Sequence, residues 1–223
     1  MAENKDKASG VMILIVICCV LMALIETIVE PAYIVKSVLK VVIFLLLPLA
    51  YAKMANTMVL DKFFAIDKRG MIKLFVLGSF IYAVILGAYA LTKNIFDYPS
   101  LVRSLSADQN VNSTSFIWVA VYISFCNSFL EEFLFRFVSF IQLSKYAARK
   151  TAYIFSSIMF AVYHVAMIGT SFPPLLLLLA LIGLTIGGFI FDYVDSRNEN
   201  IYNSWIIHMF ADFAIMTIWY LYI

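Results

Sequence analysis

From Val11 to Val29 the chain is apolar apart from Glu26 and Thr27, and hiding such a stretch limits the fold more than any other feature. A helix satisfies its own backbone hydrogen bonds, and about 20 apolar residues carry it across roughly 30 Å of hydrocarbon. Similar stretches recur, giving candidate helices at about 11–29, 36–56, 71–91, 116–140, 151–169, 174–192 and 201–222. The expected fold is all-α: a polytopic membrane helical bundle of about seven transmembrane helices, a single membrane domain over residues 1–223. A hydrophobic fraction of 64%, a charged fraction of 13% and a mean hydropathy of +0.95 exclude a water-soluble domain. The net charge of +2 provides no phosphate-tracking surface, so nucleic acid is excluded and the lipid bilayer is the expected surrounding.

The first apolar run is too long for a secretory leader and is followed by no small-residue cleavage site, so an uncleaved span is expected. Orientation follows the positive-inside rule. With the N-terminus inside, the cytoplasmic segments hold Lys5, Lys7, Lys53, Lys62, Lys68, Arg69, Lys73, Lys145, Arg149, Lys150 and Arg197, against Lys36, Lys40, Lys93 and Arg103 outside. That imbalance predicts N-terminus in and C-terminus out, with the loop from Thr92 to Ser115 facing outward. Lys36, Lys40 and Lys53 crowd the second span and are expected to snorkel, and Pro48 is expected to kink it. Glu26, Glu30, Asp192, Asp195 and Glu199 read as interfacial. Phe and Tyr read as lipid-facing or interfacial. Cys18, Cys19 and Cys126 lack metal-ligand spacing and read as buried small hydrophobes. Gly183, Gly187 and Gly188 give the sixth span a face suited to close helix packing.

Ionisable residues inside the spans stand apart, because each costs at least about 2.5 to 3.5 kcal/mol near the bilayer centre unless it meets a partner or a cavity. The fourth span carries Glu131, Glu132 and Arg136, the fifth His164, and the seventh His208 and Asp212. Counted from the basic residues at the helix ends, Glu131, His164 and His208 lie at depths of roughly 16 to 21 Å. Three helices thus bring acids and imidazoles to one level, which predicts a shared intramembrane site. Neighbouring residues point about 100° apart on a helix, so Glu131 and Glu132 are not expected to aim at one small cavity. The i, i+4 spacing assigns Glu132 mainly to Arg136 and leaves Glu131 freer to act on substrate or water, although the reverse assignment stays open. Ser204, His208 and Asp212 share a face, but one helix does not give triad geometry and no G-x-S-x-G elbow occurs. Asp212 or a backbone carbonyl is the expected orienter of His208.

In this respect the chain resembles the CAAX protease and bacteriocin-processing family of intramembrane endopeptidases, related to the Ras-converting enzyme. Three motifs carry the resemblance in order: E-E-x-x-x-R as Glu131, Glu132 and Arg136, F-x-x-x-H as Phe160 and His164, and H-x-x-x-N/D as His208 and Asp212. They fall in residues 115–222, the expected catalytic core, whereas helices within 1–114 carry no family motif. Phe137 replaces the small residue common after the motif arginine, and Asp212 stands where many members have Asn. The resemblance implies an endopeptidase in which Glu131 activates water, His164 and His208 handle protons or stabilise an oxyanion, Asp212 supports His208, and Glu132 belongs to the catalytic set. Arg136 and Phe160 would be structural support.

The resemblance also implies a peptide or membrane-anchored protein substrate, such as a bacteriocin or signalling-peptide precursor, and a bacterial plasma-membrane location. Whether a metal takes part is open, since Glu131, His164, His208 and Asp212 would also suit zinc with an open position for water. A homo-oligomer is left open. The competing readings are a non-proteolytic membrane scaffold or bacteriocin self-immunity protein, and a transporter with a Glu/His proton relay.

Overall fold

The structure is a computed structural model that describes residues 2–57, 70–109 and 111–223, and every regular element among them is helical. In chain order the helices are α1 (Glu3–Val29), α2 (Tyr33–Ala55), α3 (Met71–Thr92), α4 (Tyr98–Asp108), α5 (Phe116–Lys145), α6 (Arg149–Ile168), α7 (Pro174–Asp195) and α8 (Tyr202–Tyr220). Six of them, all but α4 and α8, are long and apolar enough to cross a membrane. The seventh expected span, α8, is long but carries Asn203, Ser204, His208 and Asp212, which lower its hydropathy. It packs on α3, α5 and α7, so its polar face meets protein instead of lipid.

Two local features differ from the sequence reading. The segment expected to be an outward loop contains α4, whose first turn is capped by Asp97 accepting from the Ser100 amide at 3.1 Å. Hydrogen bonding from Ser100, through its hydroxyl and then its backbone N–H, holds the Asp97 carboxyl below the usual carboxylate range. In α2, Pro48 produces a widened turn over Val42–Leu46 before α-helix resumes at Leu47. A proline lacks the N–H for the normal ladder and crowds the carbonyl four residues back, so the helix relaxes on that side.

Contacts identify the two ends of the bundle. At one, the Lys7 ammonium lies 5.8 Å from the Tyr146 ring centre, Tyr146 donates to the Thr57 carbonyl at 2.8 Å, and Arg149 donates to the Ser196 carbonyl at 2.9 Å. At the other, the Tyr89 and Tyr222 hydroxyls are 2.5 Å apart, beside α4. The two ends of the chain therefore sit at opposite ends of the bundle. Lys62, Lys68 and Arg69 lie outside the described residues.

Residues of α1, α2, α3, α5, α6, α7 and α8 share one apolar core. Its largest members include Phe44, Phe133, Phe135, Phe137 and Phe140, which corrects the expectation of a lipid-facing position for these five, whereas Phe75, Phe80, Phe125, Phe189 and Phe213 are exposed in keeping with it. Cys18 and Cys19 are buried as expected, but Cys126 is exposed. Of the three glycines of α7, only Gly188 marks a close helix approach. A Cβ there would come within 2.9 Å of Ser157 on α6, whereas Gly183 and Gly187 have nothing within 4 Å.

Candidate active site

Helix α5 places Glu131 and Glu132 in a short α turn, Ser128–Glu132, between two stretches of widened helix, Tyr122–Asn127 and Phe133–Gln142. Widened turns of this kind concentrate at functional sites. Both glutamates are buried, and their side chains reach the same imidazole from two directions. Glu132 Oε1 lies 2.8 Å from His208 Nδ1. Glu131 Oε2 lies 3.8 Å from His208 Nε2 and 3.7 Å from His164 Nε2. The adjacent acids therefore do converge, because the ring is long enough for one to take each nitrogen.

Hydrogen-bond chemistry fixes how both rings are turned. A carboxylate and a carbonyl oxygen can only accept. His208 Nδ1 therefore donates to Glu132, and His164 Nδ1 donates to the Phe160 carbonyl at 2.7 Å. Both imidazoles are left presenting Nε2 to Glu131 Oε2. The F-x-x-x-H spacing thus acts through a backbone carbonyl one turn back. The Phe160 ring also contributes, standing edge-on to His164 at 4.8 Å and to His208 at 5.8 Å.

Asp212 is less closely engaged than expected. Its Oδ1 is 3.7 Å from His208 Nε2, beyond a hydrogen bond, and its buried Oδ2 has no hydrogen-bond partner among the described residues. Glu132, not Asp212, holds the His208 ring. The Ser204 hydroxyl donates to Asp195 Oδ2 at 2.6 Å, so Ser204 does not complete a triad with His208.

The other oxygen of Glu131 is occupied from α2. Oε1 accepts from Lys40 Nζ at 2.6 Å and from Asn127 Nδ2 at 3.0 Å, and Lys40 also donates to Asn127 Oδ1. The side chains of Lys40 and Glu131 are 5% and 1% exposed, so this is a desolvated pair, and the expectation that Lys40 snorkels is corrected. Lys36 behaves similarly, pairing with Glu26 at 2.9 Å.

Arg136 is completely buried and anchors the opposite side of Glu132. Its Nε is 3.3 Å from Glu132 Oε2, the i, i+4 pairing expected from the sequence, and 3.8 Å from Asp192 Oδ1. The guanidinium lies over the Phe160 and Phe191 rings, 4.3 and 5.1 Å from their centres, and Nη1 donates to Ser156 Oγ at 3.4 Å. Asp192 accepts from Ser156 at 3.0 Å and Ser157 at 3.1 Å. Asp192 and Asp195, read as interfacial, are both fully buried.

Sequence reasoning missed Lys40, Asn127, Ser156, Ser157 and Asp192. A signal existed for Asn127, one helical turn before Glu131. For Lys40 the only hint was its place inside an apolar run. For zinc, no group of three or more His, Cys, Asp or Glu side chains among the described residues is arranged to hold a metal ion. The ammonium on Glu131 Oε1 would also repel a divalent cation. No step is therefore routed through a metal.

Fold and site together define a multi-pass helical membrane protein with a buried carboxylate–imidazole cluster. Residues 113–214 match the model of the Rce1-like family, Type II CAAX prenyl endopeptidase Rce1-like. The matched segment contains Glu131, Glu132, Arg136, Phe160, His164, His208 and Asp212 and leaves out α1, α2 and α3, hence Lys40. No curated protein and no solved structure gives a significant match.

Proposed function

We propose that the protein is an intramembrane endopeptidase in which Glu131 Oε2 is the general base. The observation that carries this reading is the convergence of two Nε2 atoms on one carboxylate oxygen, at 3.7 and 3.8 Å. Those separations are too long for direct hydrogen bonds and leave the three atoms free to share a water or a substrate oxygen. Glu131 takes a proton from the attacking water as the hydroxyl adds to the peptide carbonyl. The imidazole nitrogens steady the oxyanion when protonated; one gives its Nε2 proton to the leaving amine as the C–N bond breaks, and Glu131 passes to that ring the proton it took from water. Water is consumed, and one carboxyl and one amino terminus are formed. Burial strengthens each of these interactions.

The positions of the basic residues support a cytoplasmic location for the end of the bundle that holds Lys7, Lys53, Lys145 and Arg149. At the opposite end, Lys36 and Lys40 are neutralised by Glu26 and Glu131, which leaves Lys93 and Arg103. Charge thus favours the N-terminus inside and the C-terminus outside, and the proposed location, taken from the family resemblance, is the plasma membrane of a bacterium. A membrane-anchored protein terminus or a bacteriocin or signalling-peptide precursor is the proposed substrate.

The test uses the full chain in liposomes with an internally quenched peptide ending in a prenylated cysteine and three further residues, alongside precursor peptides. Glu131→Gln, His164→Ala and His208→Ala are each expected to lower cleavage by about 10²-fold or more. Full cleavage by all three variants would reject this site. A scaffold or immunity role predicts that the same variants keep their phenotype.

A further inference from the structure

A carboxylate base needs one oxygen held still and the other free. In Glu131 the two oxygens are distinguished by a residue that lies outside the segment matching the family. Oε1 takes two donors, Lys40 Nζ at 2.6 Å and Asn127 Nδ2 at 3.0 Å. Among the described residues Oε2 has no donor within hydrogen-bond range, and it faces the two imidazoles. Lys40 is itself fixed on several sides. Its ammonium hydrogen-bonds Asn127 and lies 5.2 Å from the Phe44 ring and 5.1 Å from the Tyr163 ring. Such contacts are favourable for a desolvated cation. Phe44 also packs edge-on against Phe135 of α5 and Tyr163 of α6 at 5.9 and 5.1 Å, so α2 is seated against two of the three helices that present the site.

We infer that Lys40 is a positioning residue for the reaction: it clamps Oε1 of Glu131, supplies the positive charge that a buried base requires, and so directs Oε2 to the reacting water. The inference rests on the peptidase reading above and extends it to α2. The N-terminal helices then complete the active site in addition to anchoring it.

A buried charge left without its partner is strongly unfavourable, so loss of either member must be felt twice, in stability and in rate. Lys40→Met, Glu131→Gln and the double variant are compared by thermal unfolding in detergent. The expected result is that each single change lowers the Tm and that the double variant melts no lower than the worse single. The same variants are assayed with the quenched prenylated peptide. Lys40→Met is expected to lower kcat by about 10- to 100-fold, as loss of an orienting partner does, with KM unchanged. Lys40→Arg, which keeps a donor and a charge, is expected to recover at least part of kcat. Lys36→Met removes a buried cation paired with Glu26 and should leave kcat unaltered.

Additive Tm losses would overturn the pairing. Normal kcat in Lys40→Met, or equal losses in Lys40→Met and Lys36→Met, would overturn the positioning role. No recovery in a folded Lys40→Arg variant would overturn the charge argument. A parent chain that leaves every peptide intact would overturn the peptidase reading and the catalytic role of Lys40 with it, while the melting data would still decide whether the two residues are coupled.

Discussion

Glu132 Oε1 stands 2.8 Å from Nδ1 of His208, and this contact between α5 and α8 turns the imidazole so that Nε2 faces Glu131. The acid assigned by spacing to Arg136 therefore has two tasks. It binds the guanidinium with one oxygen and the imidazole with the other. Replacing Glu132 with Gln keeps the size but loses charge and an acceptor. Cleavage of the quenched peptide should fall by about 10- to 100-fold through a disoriented His208. NMR of selectively labelled histidine should show an altered tautomer signal for His208 and an unchanged one for His164. Two unaffected signals would remove Glu132 from this role.

Arg136 predicts a stability effect. With a fully buried guanidinium among Glu132, Asp192 and two phenylalanine rings, Arg136→Met leaves two carboxylates facing each other without a cation. The expected cost is about 3 to 5 kcal/mol, the range for breaking a buried pair. Denaturant titration in mixed micelles measures it. The double change Arg136→Met with Asp192→Asn should cost less than the sum of the singles.

Asp97 predicts a pH effect outside the membrane spans. Its folded-state pKa is lowered by Ser100, so the cap of α4 contributes fully above the ordinary aspartate range near pH 4. It is lost as pH falls through the lowered folded value. Amide exchange at Ser100, referenced to the exchange rate of an unstructured peptide, should show constant protection at neutral pH and reduced protection under acid. Asp97→Ala should show the reduced protection at every pH.

Chelation separates the carboxylate–ammonium arrangement from a metal site. Lys40 already neutralises Glu131, and among the described residues no group of three or more His, Cys, Asp or Glu side chains is arranged to hold an ion. Prolonged dialysis against 1,10-phenanthroline should therefore leave peptide cleavage unchanged. A loss that added zinc restores would reverse that conclusion.

Much of the site was legible because its members break a rule that membranes enforce. Glu131, Glu132, Arg136, His164, His208 and Asp212 stand out in apolar helices, and burying any of them unpaired is costly enough to imply convergence. The same rule misjudged Lys40, Asp192 and Asp195. Each lies near a helix end in the sequence, where snorkelling to water is the ordinary outcome, but the fold covers those ends.

Sequence by itself determined that the chain is an all-helical membrane bundle and which polar side chains had to meet inside it, because hydrocarbon allows no other use of such a pattern. Tertiary structure decided the pairing. Glu132 rather than Asp212 holds His208, Ser204 joins Asp195 rather than a triad, and Lys40 reaches Glu131 from 91 residues away. Helical periodicity specifies the face on which a side chain lies, but not the rotation and depth at which separate helices dock. A shift of one turn, about 5.4 Å, is enough to exchange one partner for another.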